Sequence, residues 1–262
     1  MKELYNYRQM IFSMVKKDLR GRYKGSVLGF LWTFINPLLQ LVVYTLVFTV
    51  IMPVGNIDKY YLHLFVALIP WIFFSSSISG GAGSIIAHKD LVKKIYFPRA
   101  VIPISYVTSC FTNMLLCFIV VFGVVLLFGN GINFVAILFL PIIMIVEYIL
   151  ALGMALISSA VTVYFRDLEH ILGIVTMAWT YLTPIMYPVE QILEHPSVPE
   201  WFKKVYMLNP MAPIIQAYRD ILYHAQIPQM STLLSAVVLG VIFLLIGCLT
   251  FSKLQRNFAE EL

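Results

Sequence analysis

Long stretches without Asp, Glu, Lys or Arg alternate with short charged segments along the chain. The uncharged stretches cover residues 25–57, 60–87, 100–146, 148–165, 171–189 and 221–252. An α-helix needs about 20 apolar residues to cross a bilayer. The pattern therefore predicts an all-α integral membrane fold.

One of these stretches, residues 100–146, is long enough for two crossings if the chain turns within it. Two Gly and two Asn residues between positions 129 and 133 favour a turn there. The second of these helices continues past Glu147 into the next stretch. We therefore predict six transmembrane helices, at residues 25–53, 62–87, 100–128, 134–163, 171–188 and 231–252.

The N-terminal segment, residues 1–24, precedes the first apolar stretch and carries most of its charge in its second half. Apolar residues recur in it at helical spacing, which predicts an amphipathic helix lying at the membrane interface. These residues are Leu4, Ile11, Phe12, Val15 and Leu19. Because a charged segment comes before the first long apolar run, we do not expect a cleavable signal.

The segment 189–230, between predicted helices 5 and 6, is too long for a simple turn and contains five prolines from position 196 onward. Its pieces 200–207 and 212–224 have the character of short helices. Broken helices can enter a bilayer only where protein shields their backbone. We therefore predict re-entrant outer helices here, within a single transmembrane domain of residues 1–262.

The distribution of positive charge predicts the orientation in the membrane. Fourteen of the 18 Lys and Arg residues fall in the two terminal segments and in the loops after predicted helices 2 and 4. Lys and Arg mark the cytoplasmic side, so we expect both termini in the cytoplasm of a cell whose plasma (inner) membrane holds the chain. The net charge of +5 therefore requires no nucleic acid, since topology and anionic lipid headgroups explain it.

The chain lacks the sequence motifs of common catalytic and nucleotide-binding sites. No GxxxxGK[ST], HExxH, GxSxG or CxxC motif is present, and no Gly precedes a Lys. The five His and three Cys residues are not spaced as metal ligands. With 60% hydrophobic and 12% charged residues, we expect a transport subunit that binds no cofactor or metal, not an enzyme.

Four local features each leave two interpretations open. Loop 88–99 mixes basic and aromatic residues, which suits either a partner protein or the headgroup region. The Ser and Gly residues from 75 to 84 favour either a translocation path or tight helix packing. Gly25 and Gly29 allow either close helix approach or a loosened helix start. Glu147, an acidic residue inside a predicted span, is either a hydrogen-bonded structural residue facing the bundle interior or a proton relay.

Four sequence signatures follow one another along nearly the whole chain. The first is Arg22-Tyr23-Lys24-Gly25-Ser26 with Leu28, Gly29, Trp32, Asn36 and Pro37. The second is Leu91, Lys94, Tyr96, Phe97, Pro98, Arg99 and Pro103. The third is Tyr164-Phe165-Arg166-Asp167 followed by Thr183-Pro184-Ile185-Met186-Tyr187-Pro188. The fourth is Leu208-Asn209-Pro210 with Ile215, Tyr218 and Arg219. In this order the four resemble the signatures of transmembrane subunits of type 2 ABC exporters for polysaccharides or polyol phosphates.

The resemblance implies a homodimer of this chain with two copies of an ABC nucleotide-binding ATPase subunit, which would bind ATP and magnesium. It implies that residues 88–99 form a coupling helix, supported by the loop after predicted helix 4. The residues expected to contact the ATPase are Asp90, Leu91, Lys93, Lys94, Tyr96, Phe97, Pro98, Arg99, Arg166 and Asp167.

The cargo implied by the resemblance is a glycan such as O-antigen or teichoic acid on a lipid pyrophosphate carrier. Arg20, Arg22 and Lys24 are candidates to attract the carrier phosphate, unless they serve only topology and anionic membrane lipids. Aromatic candidates for the path are Trp32, Trp71, Phe73, Phe74, Trp179, Tyr181 and Tyr187. The alternatives are an ATP-driven exporter of lipid or drug-like molecules and a proton-coupled carrier that uses Glu147.

Overall fold

The computed structural model of the chain describes residues 2–22, 25–53, 57–129, 131, 133–194, 196 and 198–262. These residues form fourteen α-helices and no strand. In chain order the helices are α1 (Lys2–Asn6), α2 (Arg8–Gly21), α3 (Trp32–Leu46), α4 (Tyr60–Ala87), α5 (Lys89–Lys94), α6 (Val101–Phe128), α7 (Phe134–Ile137), α8 (Leu140–Tyr164), α9 (Leu168–Leu182), α10 (Glu190–Leu193), α11 (Glu200–Met207), α12 (Met211–Leu222), α13 (Met230–Leu254) and α14 (Phe258–Glu261).

Five helical segments within the described residues are long and apolar enough to cross a membrane, so the all-α membrane fold is confirmed. They are Gly29–Ile51, Tyr60–Ala87, Val101–Phe128, Phe134–Tyr164 and Met230–Asn257. The predicted span 171–188 instead coincides with α9, whose 15 residues extend for roughly 22 Å. A hydrocarbon core is about 30 Å thick, so α9 alone is too short and the count of six stays a prediction.

The two glycines before α3 form part of a turn, and no other helix of the same chain packs against them. Gly25 and Gly29 both have positive φ, +85° and +45°, and no other atom approaches the position of an added Cβ. Glycine adopts this conformation without the steric cost that other residues meet. In the same turn the Trp32 indole donates a hydrogen bond to Ser26 Oγ at 3.0 Å.

Helix α4 lies at the centre of the molecule, where α3, α6, α8, α9 and α12 surround it. Its first half is almost entirely buried, from Tyr60 to Trp71. On the side of α8, Gly81 lies against Ala155, and Ser158 Oγ donates to the carbonyl of Ile78 at 3.3 Å. The small side chains at this contact let the two helices approach closely.

Helices α8 and α13 meet backbone to backbone. A Cβ atom added at Gly153 would lie 2.5 Å from the carbonyl carbon of Phe243, and one added at Gly247 would lie 2.4 Å from the carbonyl oxygen of Gly153. Only glycine fits at either position. The uncharged stretches predict these helices, but not the pairs of residues through which the helices meet.

Both chain termini lie at the end of the bundle that carries α5, which we call the terminal end. The Tyr7 hydroxyl donates to the carbonyl of Tyr96 at 3.5 Å. On the C-terminal side, the Arg99 guanidinium donates to the carbonyl of Gln255. Helices α10 to α12 lie towards the opposite end, where the Tyr60 hydroxyl donates to the carbonyl of Met186 at 2.9 Å.

Candidate functional site

The predicted coupling segment is helical only from Lys89 to Lys94 and then becomes extended at Ile95. Asp90, Lys93 and Lys94 are exposed on this short helix, whereas Leu91 is half-buried. Beyond it, the Ile95 side chain is 56% exposed and Tyr96 is 96% exposed. The tip of the loop therefore presents an aromatic and an aliphatic side chain to its surroundings.

Phe97 and Arg99 lie in the same loop but point into the molecule. Phe97 is 6% exposed and belongs to an apolar cluster with Phe251 and Phe258. Besides its bond to Gln255, the Arg99 guanidinium lies 5.8 Å from the centroid of the Phe258 ring. Pro98, between them, is half-buried. These residues hold the loop against the C-terminal segment instead of offering a surface.

The loop between α8 and α9 adds a second exposed group at the terminal end. Arg166 and Asp167 are exposed, as is the neighbouring aromatic Phe165. Phe165 did not appear among the predicted contact residues, although an aromatic residue beside Arg166 at the end of a span was a signal for it. Helix α9 begins directly afterwards, at Leu168.

A first cavity, of about 410 Å³, lies between α2 and the terminal ends of α4 and α6. Charged side chains of both signs line it, together with the small residues Gly80 and Gly83. These charged side chains are Lys17, Asp18, Arg22 and Glu169.

Arg22 connects α2 to α6 beside this cavity. Its Nη2 donates to Asp18 Oδ2 at 3.1 Å, to Ser109 Oγ at 2.9 Å and to Cys110 Sγ at 3.1 Å. The Ser109 hydroxyl in turn donates to the Asp18 carboxylate. This network fixes the C-terminal end of α2 against α6, at a point about two turns after Val101, the first residue of α6.

The structure does not bring the three predicted carrier-phosphate residues together. Arg22 lines the first cavity, whereas Arg20 lines a second cavity of about 950 Å³ on the other side of α2. Lys24 lies outside the described residues. Lys17, which was not among the predicted carrier-phosphate residues, also lines the first cavity.

One face of the second half of α4 is partly accessible, although most of the rest of this helix is buried. Ser75, Ser76, Ser79, Gly80 and Gly83 are half-buried on this face. It opens at the first cavity, which Gly80 and Gly83 line. Further along, the hydroxyls of Ser79 and Thr176 of α9 lie 3.3 Å apart. Tight packing accounts for Gly81 on the α8 side, whereas on this polar face the Tyr106 and Glu169 side chains lie against Gly80 and Gly83.

Three of the aromatic residues predicted for the path form one cluster where this face ends. The ring centroids of Trp71 and Trp179 are 6.2 Å apart, and those of Phe74 and Trp179 are 5.4 Å apart. Trp71 Nε1 donates to Thr180 Oγ1 at 2.9 Å, and Trp179 Nε1 donates to Asn209 Oδ1 at 3.2 Å. Both indoles are therefore held in fixed orientations between α4 and α9.

The remaining predicted path residues lie in separate places. Phe73 is buried against Phe111 of α6, with ring centroids 5.6 Å apart. Tyr181 is exposed on α9, and the Tyr187 hydroxyl donates to its carbonyl at 2.7 Å. Trp32 is the first residue of α3 and is hydrogen-bonded to Ser26 in the turn before that helix. Within one chain, the seven residues do not line a single cavity.

The prediction that Glu147 faces the interior and is hydrogen-bonded is confirmed. Its side chain is fully buried, and its Oε2 accepts a hydrogen bond of 2.7 Å from the Tyr218 hydroxyl of α12. Among the described residues its Oε1 has no hydrogen-bond partner. The Tyr218 ring also lies 5.6 Å from that of Phe118 on α6. Glu147 thus connects α8 to α12.

The neighbouring Arg219 is a buried anchor for which sequence analysis assigned no role. Its Nη2 donates to the carbonyl of Ile185 at 2.7 Å and its Nη1 to that of Tyr187 at 3.3 Å. The side chain carries a positive charge, because Arg is not deprotonated in proteins, and these two carbonyls accept hydrogen bonds from it. Its identity as a motif residue was the signal that could have revealed this role.

Comparison with known proteins gives matches over most or all of the chain. The sequence profile of a family described as "ABC-2 type transporter" matches residues 9–223. The "O-antigen export system permease protein RfbA" of Myxococcus xanthus is 34% identical over 261 residues, which cover 100% of this chain and 98% of the relative. A Klebsiella pneumoniae protein with the same description is 33% identical over 97% of this chain and 95% of its own length. The "Polysialic acid transport protein KpsM" of Escherichia coli is 23% identical over 88% of each chain.

Proposed function

Because the chain belongs to the ABC-2 type transporter family, we propose that it is the membrane-spanning subunit of an ATP-driven exporter of a lipid-linked polysaccharide. The cargo is a cell-surface glycan that moves from the cytoplasmic to the outer side of the bacterial plasma membrane. The observation that carries this proposal is the similarity, over nearly full length, to permeases named for O-antigen export. The same similarity favours a glycan over lipid or drug-like molecules as the cargo.

Six crossings are supported by the course of the chain around α9. At the terminal end the Glu169 carboxylate lies against Gly83, and at the opposite end the carbonyl of Met186 accepts from Tyr60. Gly83 and Tyr60 are 23 residues apart on α4, which corresponds to about 35 Å. The chain covers this distance because it continues through turns and bends over residues 183–187 after α9 ends at Leu182. Termini at one end of the bundle also require an even number of crossings.

The re-entrant segment is supported by the depth that α12 reaches. Tyr218 contacts Glu147, seven residues after the start of α8 at Leu140, which is about 10 Å along that helix. Helices α4, α8 and α13 surround α12, so they shield its backbone from lipid. We place α12 below the outer surface of the membrane. We place the terminal end, which carries the basic loops, on the cytoplasmic side, with α2 at the membrane interface.

The ATPase subunit would bind at the terminal end, on the exposed tip of loop 95–99 and on the loop at 165–167. ATP and magnesium belong to that subunit. Tyr96 and Ile95 offer the apolar contact, and Lys93, Lys94 and Arg166 offer charge. Because Phe97 and Arg99 bind the loop to the C-terminal segment, movement of the tip is passed to the inner ends of α8 and α13.

A second copy of the chain would cover the bare faces of α9 and α3. Only Thr176 is buried on α9, although the helix is apolar. The exposed side chains include Ile174, Met177 and Tyr181. A dimer formed here places the polar face of α4 and the first cavity of each chain beside the shared interface. The carrier phosphate would enter at that cavity, near Lys17 and Arg22, and the cluster of Trp71, Phe74 and Trp179 would form the far end of the path.

A co-purification experiment tests the proposal. The chain is expressed with candidate ATPase subunits, purified through a tag on this chain, and assayed for ATP hydrolysis in lipid. We expect an ATPase to co-purify, and we expect Tyr96→Ala to weaken its retention. Trp201→Ala, which removes an exposed aromatic residue near the opposite end, is the matched control. If no ATPase is retained by the unmodified chain, the proposal fails.

A further inference from the structure

The second cavity, on the side of α2 away from the proposed entry site, is an open groove between α2 and α6. Its volume of about 950 Å³ falls at the upper end of the roughly 300–1,000 Å³ that is typical of small-molecule sites. The walls are mainly apolar and include Phe12 and Leu19 of α2, Leu116 of α6 and Phe30 of the turn before α3. These walls suit a hydrocarbon chain.

The groove follows the direction of a transmembrane helix. Thr108, Thr112 and Leu116 line it at successive turns of α6, so its length along this helix is about 12 Å. Because α6 is a candidate membrane span, a chain in the groove would run in the same direction as the acyl chains of the bilayer. Phe12, on the opposite wall, is exposed in the described part of the chain.

The charge at the rim of the groove has one sign. Arg8, Lys16 and Arg20 all line it and are exposed, and none of its described lining residues is acidic. The first cavity differs, since Asp18 and Glu169 accompany its cations. Basic side chains beside a bilayer attract anionic headgroups. The groove thus combines an apolar wall with a rim for a phosphate group.

We propose that this groove binds one anionic phospholipid of the surrounding bilayer, with an acyl chain along Phe12, Leu19 and Leu116 and the phosphate between Lys16 and Arg20, which lie one turn apart on α2. A bound lipid would fill the space between α2 and α6 and hold the amphipathic helix at a fixed depth. This role is separate from the cargo and from the ATPase subunit. It also assigns Arg20 to a structural lipid instead of the carrier.

Native mass spectrometry of the full chain in detergent tests the proposal directly. Phosphatidylglycerol and phosphatidylcholine with the same acyl chains are added in equal amounts, and retained lipids are counted per chain. We expect phosphatidylglycerol to be retained about tenfold more than phosphatidylcholine. The double variant Lys16→Gln/Arg20→Gln should reduce this preference to near unity. The control Lys253→Gln/Arg256→Gln removes the same charge from exposed positions at the terminal end and should leave the preference unchanged.

A second variant tests the contribution of the apolar wall to lipid binding separately from that of the basic rim. Thr112→Trp fills the groove without a change of charge and should abolish retention of phosphatidylglycerol. Thr112→Trp also tests the proposal if the variant Lys16→Gln/Arg20→Gln does not fold. The elution volume of that charge variant in size-exclusion chromatography shows whether it folds. Equal retention of both lipids by the unmodified chain would overturn the proposal, as would an equal loss in the control variant.

Two competitors identify the occupant. Inorganic phosphate should not displace phosphatidylglycerol at equal concentration, because it lacks the chain that the apolar wall binds. Undecaprenyl phosphate should displace bound phosphatidylglycerol no better than additional phosphatidylglycerol does. Displacement by inorganic phosphate would mean a simple anion site. Stronger binding of undecaprenyl phosphate would mean that the groove serves the carrier, and either result would refute the structural-lipid assignment.

Discussion

Two adjacent residues of α12 fasten it to the rest of the bundle, each through a different polar contact. Tyr218 donates to Glu147 of α8, and Arg219 donates to carbonyls of residues 185 and 187. A bare carboxylate at the centre of a membrane helix costs about 2.5–3.5 kcal/mol on insertion scales. The hydrogen bond from Tyr218 offsets part of this cost, which explains why an acidic residue is tolerated in a transmembrane helix.

Substitution of Glu147 distinguishes a structural role from proton transport. In Glu147→Gln the amide oxygen can still accept from Tyr218, so we expect export and the thermal midpoint of unfolding to remain near those of the unmodified chain. In Glu147→Leu the Tyr218 hydroxyl loses its acceptor, which costs about 1–3 kcal/mol. Export in cells and thermal unfolding in detergent measure the two effects. Loss of export in the Gln variant with normal stability would instead support proton coupling.

Two neighbouring residues of loop 88–99 should respond in opposite ways to truncation. Phe97→Ala removes a buried ring from the cluster with Phe258 and should cost about 3–5 kcal/mol of stability. Tyr96→Ala removes an exposed ring, so stability should change by less than about 0.5 kcal/mol while ATPase binding weakens. Thermal unfolding and co-purification separate these outcomes. Equal destabilisation by both changes would contradict the orientation of the loop.

At the scale of elements, the contact between α8 and α13 depends on glycine residues, which have no side chain. Gly153 and Gly247 let the two backbones touch, and small residues are the usual means of close helix approach in membranes. Gly123 of α6, by contrast, has no atom within 4 Å of an added Cβ. The same residue type therefore has a packing role at one helix position and none at another.

A pair of Gly→Ala substitutions tests this contact. Gly153→Ala forces the backbones of α8 and α13 apart and should destabilise the chain by about 1–3 kcal/mol. Gly123→Ala meets no neighbour and should be neutral or stabilising by up to about 1 kcal/mol, because alanine favours a helix. Thermal unfolding of the two variants in the same detergent gives the comparison. A neutral Gly153→Ala would show that the helices can separate without cost.

At the scale of the whole molecule, the bare face of α9 predicts the dimer interface. Met177 is 63% exposed on α9 and Leu249 is 72% exposed on α13. In a background without Cys110, Cys117 and Cys248, Met177→Cys should give cross-linked dimers with a short bifunctional thiol reagent in membranes. Leu249→Cys, on a face assigned to lipid, should remain monomeric in denaturing gels. Cross-linking of Leu249→Cys alone would place the interface on α13.

The sequence by itself determined the class of fold, the positions of the long helices and the need for a partner at Glu147. Each follows from a local or additive property, namely runs of uncharged residues long enough for a bilayer and the cost of a lone charge inside one. The mixture of basic and aromatic residues also marked loop 88–99 before any neighbour was known.

The tertiary structure decided which side chains face inward in each segment that the sequence pattern had singled out. Tyr96 and Phe97 are adjacent in sequence, yet only Phe97 meets the C-terminal segment, and Arg99 binds Gln255 across 156 positions of the chain. Arg20 and Arg22 point in different directions by helical periodicity, but the packing of α2 on α6 decides which cavity each of them lines. The end of α9 at Leu182 likewise coincides with contacts from residues 209 and 219. Such outcomes depend on distant partners, which local patterns do not contain.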